Sequence, residues 1–207
     1  MLQRGFTLTE LLVVIVIAAI LVGMAVPSMR SMLDSTKVKG SAESVLGGLR
    51  YARSEAIKRN APMRFQLVTS LDASCAYSST SPLWVVSQTD QVNYGAVAGA
   101  CNTAPALPPD PCAASCVGGT GVYIAFLSNG ITTNSSVVVA ADNPVVTFGP
   151  LGQVICNMEA SSSMQSVSFT STDTGITPWT IKIGNGASCS SQSNSGSLKL
   201  CSGLTCS

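Results

Sequence analysis

The chain has 207 residues, enough for one domain and an additional segment. Charged residues make up 10% and aromatic residues 5%, and the net charge is +1, so no global field recruits polyanions. There is no histidine, which excludes histidine-based triads and histidine metal clusters. The abundance of Ser, Thr, Gly and Ala suits a strand-rich exported domain better than a cytosolic enzyme.

The chain opens on Arg4-Gly5-Phe6-Thr7-Leu8-Thr9-Glu10, followed by a nearly pure apolar run from Leu11 to Val26 that Pro27 closes. Residues 6–26 would make a helix of about 31 Å, enough for the hydrocarbon core of a bilayer. Glu10 lies inside that span, where an unpaired carboxylate costs about 2.5–3.5 kcal/mol. A secretory signal accounts for Arg4 and the apolar core but not for Glu10. A plain membrane anchor leaves both Gly5-Phe6 and Glu10 without a purpose. Snorkelling of Glu10 to the headgroups is compatible with either. Pro27 lacks a backbone N–H and is expected to kink the helix.

The helical pattern continues to Asn60. Ala42, Val45, Leu46, Leu49, Ala52 and Ala56 recur at three- and four-residue spacing, one stripe for a core. Glu55 is spaced to pair with Lys58 or Arg59. Gly40 and Gly47-Gly48 each weaken the interior by about 1 kcal/mol. Asn60-Ala61-Pro62 is the stop signal. Residues 28–64 carry eight basic groups against three acids, and residues 65–207 two (Lys182, Lys199) against six. The helix is thus basic and the remainder mildly acidic, which usually means a solvated helix face.

After Pro62 the period changes to two. Strands are expected at 63–68, 83–87, 121–127, 137–140, 144–148, 165–171, 179–183 and 197–201. Residues 89–120, rich in Ala, Gly and Pro, are read as a long loop stapled by disulfides. The expected fold class is α+β: a long N-terminal helix packed on an antiparallel β domain. All eight cysteines (Cys75, Cys101, Cys112, Cys116, Cys156, Cys189, Cys201, Cys206) follow the apolar run. An even count in an exported domain implies disulfides, with 105 pairings open. Cys112 with Cys116, and Cys201 with Cys206, are near enough to close small loops. A zinc site is disfavoured without histidine or a repeated Cys-x-x-Cys. Arg4 before the span and cysteines after it put the start inside and the domain outside.

Arg4-Gly5 followed by Phe6-Thr7-Leu8-Thr9-Glu10-Leu11-Leu12 resembles the class III signal of type IV prepilins and pseudopilins. The resemblance implies cleavage after Gly5 by a prepilin peptidase, and N-methylation of Phe6 as the new amino terminus. It implies that Glu10 pairs with a neighbouring subunit's terminal amine, offsetting the desolvation of a buried charge, and that Pro27 accompanies local melting on assembly. Tyr51–Asn60 and Phe148-Gly149-Pro150-Leu151-Gly152 resemble the helix end and the strand-turn of the GspH/FimT minor pilins. On this reading residues 1–5 are a leader, 6–26 the transmembrane and filament-core helix, 27–60 an amphipathic helix and 61–207 a disulfide-stapled antiparallel β domain.

The implied function is that of a minor pilin or pseudopilin, a low-abundance structural subunit for assembly or the tip of a type IV pilus. One alternative is a GspH-like pseudopilin of a type II secretion system. Another is a DNA-binding minor pilin for uptake in natural transformation. The family motif for the latter, Gly-Arg-x-Arg, has its nearest equivalent in Gly196-Ser197-Leu198-Lys199, where Ser197 removes one arginine and Lys199 replaces the other. The candidate DNA contacts are Arg50, Arg53, Lys58, Arg59 and Lys199. The implied partners are other pilin subunits, the peptidase/methyltransferase and the inner membrane, with the domain in the periplasm before incorporation. Neither a cofactor nor a metal nor an enzymatic activity is expected. Lys182 and Lys199 read as strand-edge guards, and Asp90, Asp110 and Asp142 as solvated loop acids.

Overall fold

A computed structural model describes residues 7–88, 97–102, 123–128, 136–155, 163–173, 175–184, 196–203 and 205–206, with backbone alone for 24–28 and 123. One helix, α1 (Leu8–Arg59), dominates. It begins with a capping box. Thr7 Oγ1 accepts from the Glu10 N–H, and the Glu10 carboxylate accepts from the Thr7 N–H at 3.1 Å. The helix continues without interruption through Pro27. It ends at Asn60, which is left-handed at φ 49° and turns its N–H back to Ala56 and Ile57. Pro62 follows and disfavours a further turn.

The two halves of α1 have different surroundings. From Leu8 to Val22 the large apolar side chains are each 49–79% exposed. Met29, Met32 and Leu33 are exposed as well. Burial begins at Asp34 and Val38 and then follows the expected stripe of Ala42, Val45, Leu46, Leu49, Ala52 and Ala56. Among the described residues, no helix is long and apolar enough to cross a membrane. The apolar stretch with described side chains, 8–23, measures about 24 Å as a helix. The span expected at 6–26 extends past it at both ends, onto residue 6 and the side chains of 24–26, outside the described residues.

Ten strands follow among the described residues: β1 (Met63–Leu67), β2 (Trp84–Gln88), β3 (Tyr123–Leu127), β4 (Val137–Ala141), β5 (Val145–Phe148), β6 (Val154–Ile155), β7 (Ser166–Ser171), β8 (Trp179–Ile183), β9 (Leu198–Ser202) and β10 (Thr205–Cys206). They form two antiparallel sheets, ordered β3-β2-β1-β5-β6 and β10-β9-β8-β7-β4. The inner faces of both sheets pack on the second half of α1. Met63, Phe65, Trp84, Val86, Val146 and Phe148 come from the first sheet, and Val139, Val167, Phe169, Ile181 and Ile183 from the second. The chain crosses between sheets at Asp142-Asn143-Pro144. The Asp142 carboxylate accepts from the backbone N–H groups of Asn143, Gln165 and Ser166. Asp142 is therefore a corner brace rather than a merely solvated loop acid; Asp90 and Asp110 lie outside the described residues.

The strands β6 and β10 were not foreseen. Each has two residues, too few for a period to register. The outer face of the first sheet carries a second core of Val68, Cys75, Leu83, Val85, Val97, Cys101 and Ile124. A disulfide from Cys75 to Cys101 closes it, and a second disulfide joins Cys201 to Cys206 across the β9–β10 hairpin. The first bond ties the start of the Ala/Gly/Pro-rich insert back to the loop after β1. Cys112, Cys116, Cys156 and Cys189 lie outside the described residues, as does most of that insert.

Candidate functional site

The two motifs singled out in the sequence meet in space. Phe148-Gly149-Pro150-Leu151-Gly152 forms the β5–β6 turn. The Gly152 N–H donates to the Gly149 carbonyl, and the Gly149 N–H to the Gln153 carbonyl, both at 2.8 Å. Gly152 adopts φ +74°, which favours glycine. Its carbonyl accepts from Nε of Arg53 on α1 at 3.1 Å. Gly196 lies so close that a Cβ there would collide with the same carbonyl oxygen. The glycine of the Gly196–Lys199 stretch is thus required by packing.

Beside this contact is a groove of about 310 Å³ lined by Arg50, Arg53, Ser54, Ile57 and Leu198. Arg50 is exposed and makes no ion pair among the described residues. Lys58 and Arg59 are held elsewhere. Glu55, a buried carboxylate, accepts from Arg59 at 2.6 Å and from Lys58 at 3.5 Å. Burial works to raise the Glu55 pKa, but the Arg59 and Lys58 bonds outweigh it and hold the carboxyl below its ordinary value.

Lys199 is apart from the groove. Ile181 pairs with Leu200 and Ile183 with Leu198 on the helix-facing side of the second sheet, so Lys182 and Lys199, paired directly, stand on its other face. The five candidate DNA contacts therefore divide into three places: Arg50 with Arg53, Lys58 with Arg59 on Glu55, and Lys199 beside Lys182. Of the other helix cations, Lys37 pairs with Asp34 at 2.8 Å, and Lys39 reaches Glu43 and lies over the Trp179 ring. The Lys37 hydrogen bond holds the Asp34 carboxyl below its ordinary value against opposing burial, with help from Asp173 and Ser136.

Sequence reasoning missed Gly48. A Cβ there would meet Phe65 and Trp84 at 2.8 Å, so this glycine lets α1 lie close on the first sheet. Trp84 is further fixed by its Nε1–H, which donates to Ser44 at 3.2 Å. The signal that could have found it is helical spacing: Gly48 lies three residues after Val45 and four before Ala52, on the buried side, whereas Gly47 lies opposite the stripe and its Cβ position is open.

Glu10 and Thr7 lie on the exposed first turns of α1, remote from the groove; Gly5 and Phe6 lie outside the described residues. Among the described residues no group of three or more His, Cys, Asp or Glu could hold a metal.

A long helix, apolar and uncovered in its first half and buried under two antiparallel sheets in its second, is the pilin-like arrangement. The amino-terminal end agrees with it: residues 1–26 match the prokaryotic N-terminal methylation motif. Residues 41–196 match the type II transport protein GspH family, and the chain belongs to that family. Comparison with curated proteins and with solved structures yields no match. The chain is a pilin or pseudopilin of the GspH/FimT kind, from a class of structural subunits.

Proposed function

We propose that this chain is a minor pilin, a low-abundance subunit that serves assembly or the tip of a type IV pilus. The observation that carries the reading is the uncovered apolar half of α1. A row of leucines, isoleucines and valines each about half or more exposed is costly in water, at about 25 cal/mol per Å². It is stable only in lipid or against other helices. The membrane would hold it before assembly and a helix bundle afterwards, with residues 6–26 as the span and the β domain in the periplasm.

Glu10 is the polar exception in that row, and its pairing with a neighbour's terminal amine would set the register of insertion. Gly5 is the cleavage point for a prepilin peptidase and Phe6 the methylated terminus, in keeping with the methylation-motif match over residues 1–26. Pro27 lies where the helix leaves the span. A second reading, a pseudopilin of a type II secretion system, is favoured by the description of the matched family.

The test is expression of the full chain beside each filament system, with recovery of sheared filaments. The minor-pilin reading expects small amounts of the chain in type IV pili, starting at Phe6 and carrying one extra methyl group by mass spectrometry. Recovery with the secretion pseudopilus alone selects the second reading. An uncleaved chain that enters neither filament refutes both.

A further inference from the structure

The groove at the end of α1 has features that packing leaves unused. Arg50 and Arg53 lie three residues apart on one helix face, so two positive charges are neighbours. The nearby carboxylate, Glu55, is already held by Arg59 and Lys58. Arg53 is not a loose surface cation. One of its N–H groups is fixed on the Gly152 carbonyl, which is itself hemmed in by Gly196, and its other donors remain. Such a fixed guanidinium is suited to a planar anion.

The walls are apolar. Leu198 lines one side, Ile57 is 52% exposed, and Leu151, at the tip of the adjoining turn, is 85% exposed. The surface thus offers a pair of arginines framed by aliphatic groups.

A polyanion track needs several cations in line, because its affinity grows with the number of phosphates neutralised. Here Arg59 is held on Glu55 at 2.6 Å, the exposed Lys58 reaches the same carboxylate at 3.5 Å, and Lys199 stands on the far face of its sheet. Two arginines with aliphatic walls fit a single carboxylate carried on an apolar segment.

We infer that this groove is a docking site for an acidic side chain, flanked by aliphatic residues, on a neighbouring protein subunit. The inference deepens the subunit reading and rests on it for the source of that side chain. Arg50 and Arg53 would take the carboxylate, while Ile57, Leu151 and Leu198 would cover the aliphatic flanks.

The test has two arms. First, the full chain in detergent micelles is titrated calorimetrically with the blocked peptide acetyl-Leu-Glu-Leu-amide and with its Gln counterpart. The Glu peptide should bind at least about tenfold more tightly, the scale of a charge-assisted hydrogen bond. Arg50→Gln should reduce the difference several-fold, and Lys199→Gln should leave it unchanged. Equal binding of the two peptides, no binding, or an undiminished preference in Arg50→Gln overturns the site. So does duplex DNA that displaces the peptide and loses affinity equally in Arg50→Gln and Lys199→Gln, the mark of a polyanion surface. Second, Arg50→Glu should lower recovery in filaments several-fold at unchanged thermal stability. Normal recovery of that variant overturns the assignment to a neighbouring subunit. Failure of the subunit reading is distinguishable, since the unaltered chain would then be missing from filaments.

Discussion

Gly48 and Gly47 are adjacent in the chain and opposite in consequence. A methyl group at Gly48 would press on the Phe65 and Trp84 rings at 2.8 Å, whereas one at Gly47 would meet open space. Gly48→Ala should destabilise the fold by about 1–3 kcal/mol through overpacking. Gly47→Ala should stabilise it by about 0.5–1 kcal/mol through helix propensity. Thermal unfolding of the two variants in detergent checks both signs. Glu55 gives a pH-dependent counterpart. Its folded pKa lies below the ordinary 4.5, so its contribution is present above that value and is lost as pH falls through the folded pKa. Glu55→Gln should cost about 1.5–3 kcal/mol at neutral pH. The gap between variant and native stability should close as pH falls through the folded pKa, below 4.5. A gap independent of pH would mean that Glu55 acts by packing alone.

At the scale of elements, the helix was legible because its signals are local. The buried stripe from Ala42 to Ala56 and the Asn60-Ala61-Pro62 stop are written in consecutive residues. The strands from β1 to β9, β6 excepted, fall where alternation and turn residues put them, within two residues at each end. The two-residue strands β6 and β10 exist because a turn and a disulfide deliver them to a neighbour, which no local pattern announces. The cysteines divide in the same way. Cys201 with Cys206 is a short loop, visible from spacing, whereas Cys75 with Cys101 depends on the loop after β1 covering the outer face of the first sheet. Replacing Cys75 and Cys101 by alanine should cost about 3–4 kcal/mol, and replacing Cys201 and Cys206 about 2, by loop-closure entropy. Denaturant unfolding of the two double variants should rank them in that order.

For the whole molecule, the contrast between the halves of α1 is the fact on which the proposed function rests. The same helix supplies an apolar rod and, past Asp34, the spine of a two-sheet domain. Burying Glu10 in a helix bundle is tolerable only with a partner charge. Glu10→Ala should therefore lower recovery of the chain in sheared filaments while leaving cleavage after Gly5 intact. Immunoblots of filament and membrane fractions measure both. Unchanged recovery would remove Glu10 from the assembly step.

The class of the molecule was written in short stretches of the chain. The amino-terminal methylation motif, the apolar run with one glutamate, the helical stripe and the change of period are all short-range patterns, and they suffice for a pilin-like α+β chain. Tertiary structure decided how the remaining charges are placed. The pairing of Lys58 and Arg59 with Glu55 follows helical spacing and was legible in the sequence. The fold anchors Arg53 on Gly152, turns Lys199 to the far face of a sheet and leaves Arg50 exposed at a groove. The reason is physical: a residue's type sets its charge, but its partners come from segments up to a hundred residues away, and only packing brings those segments together.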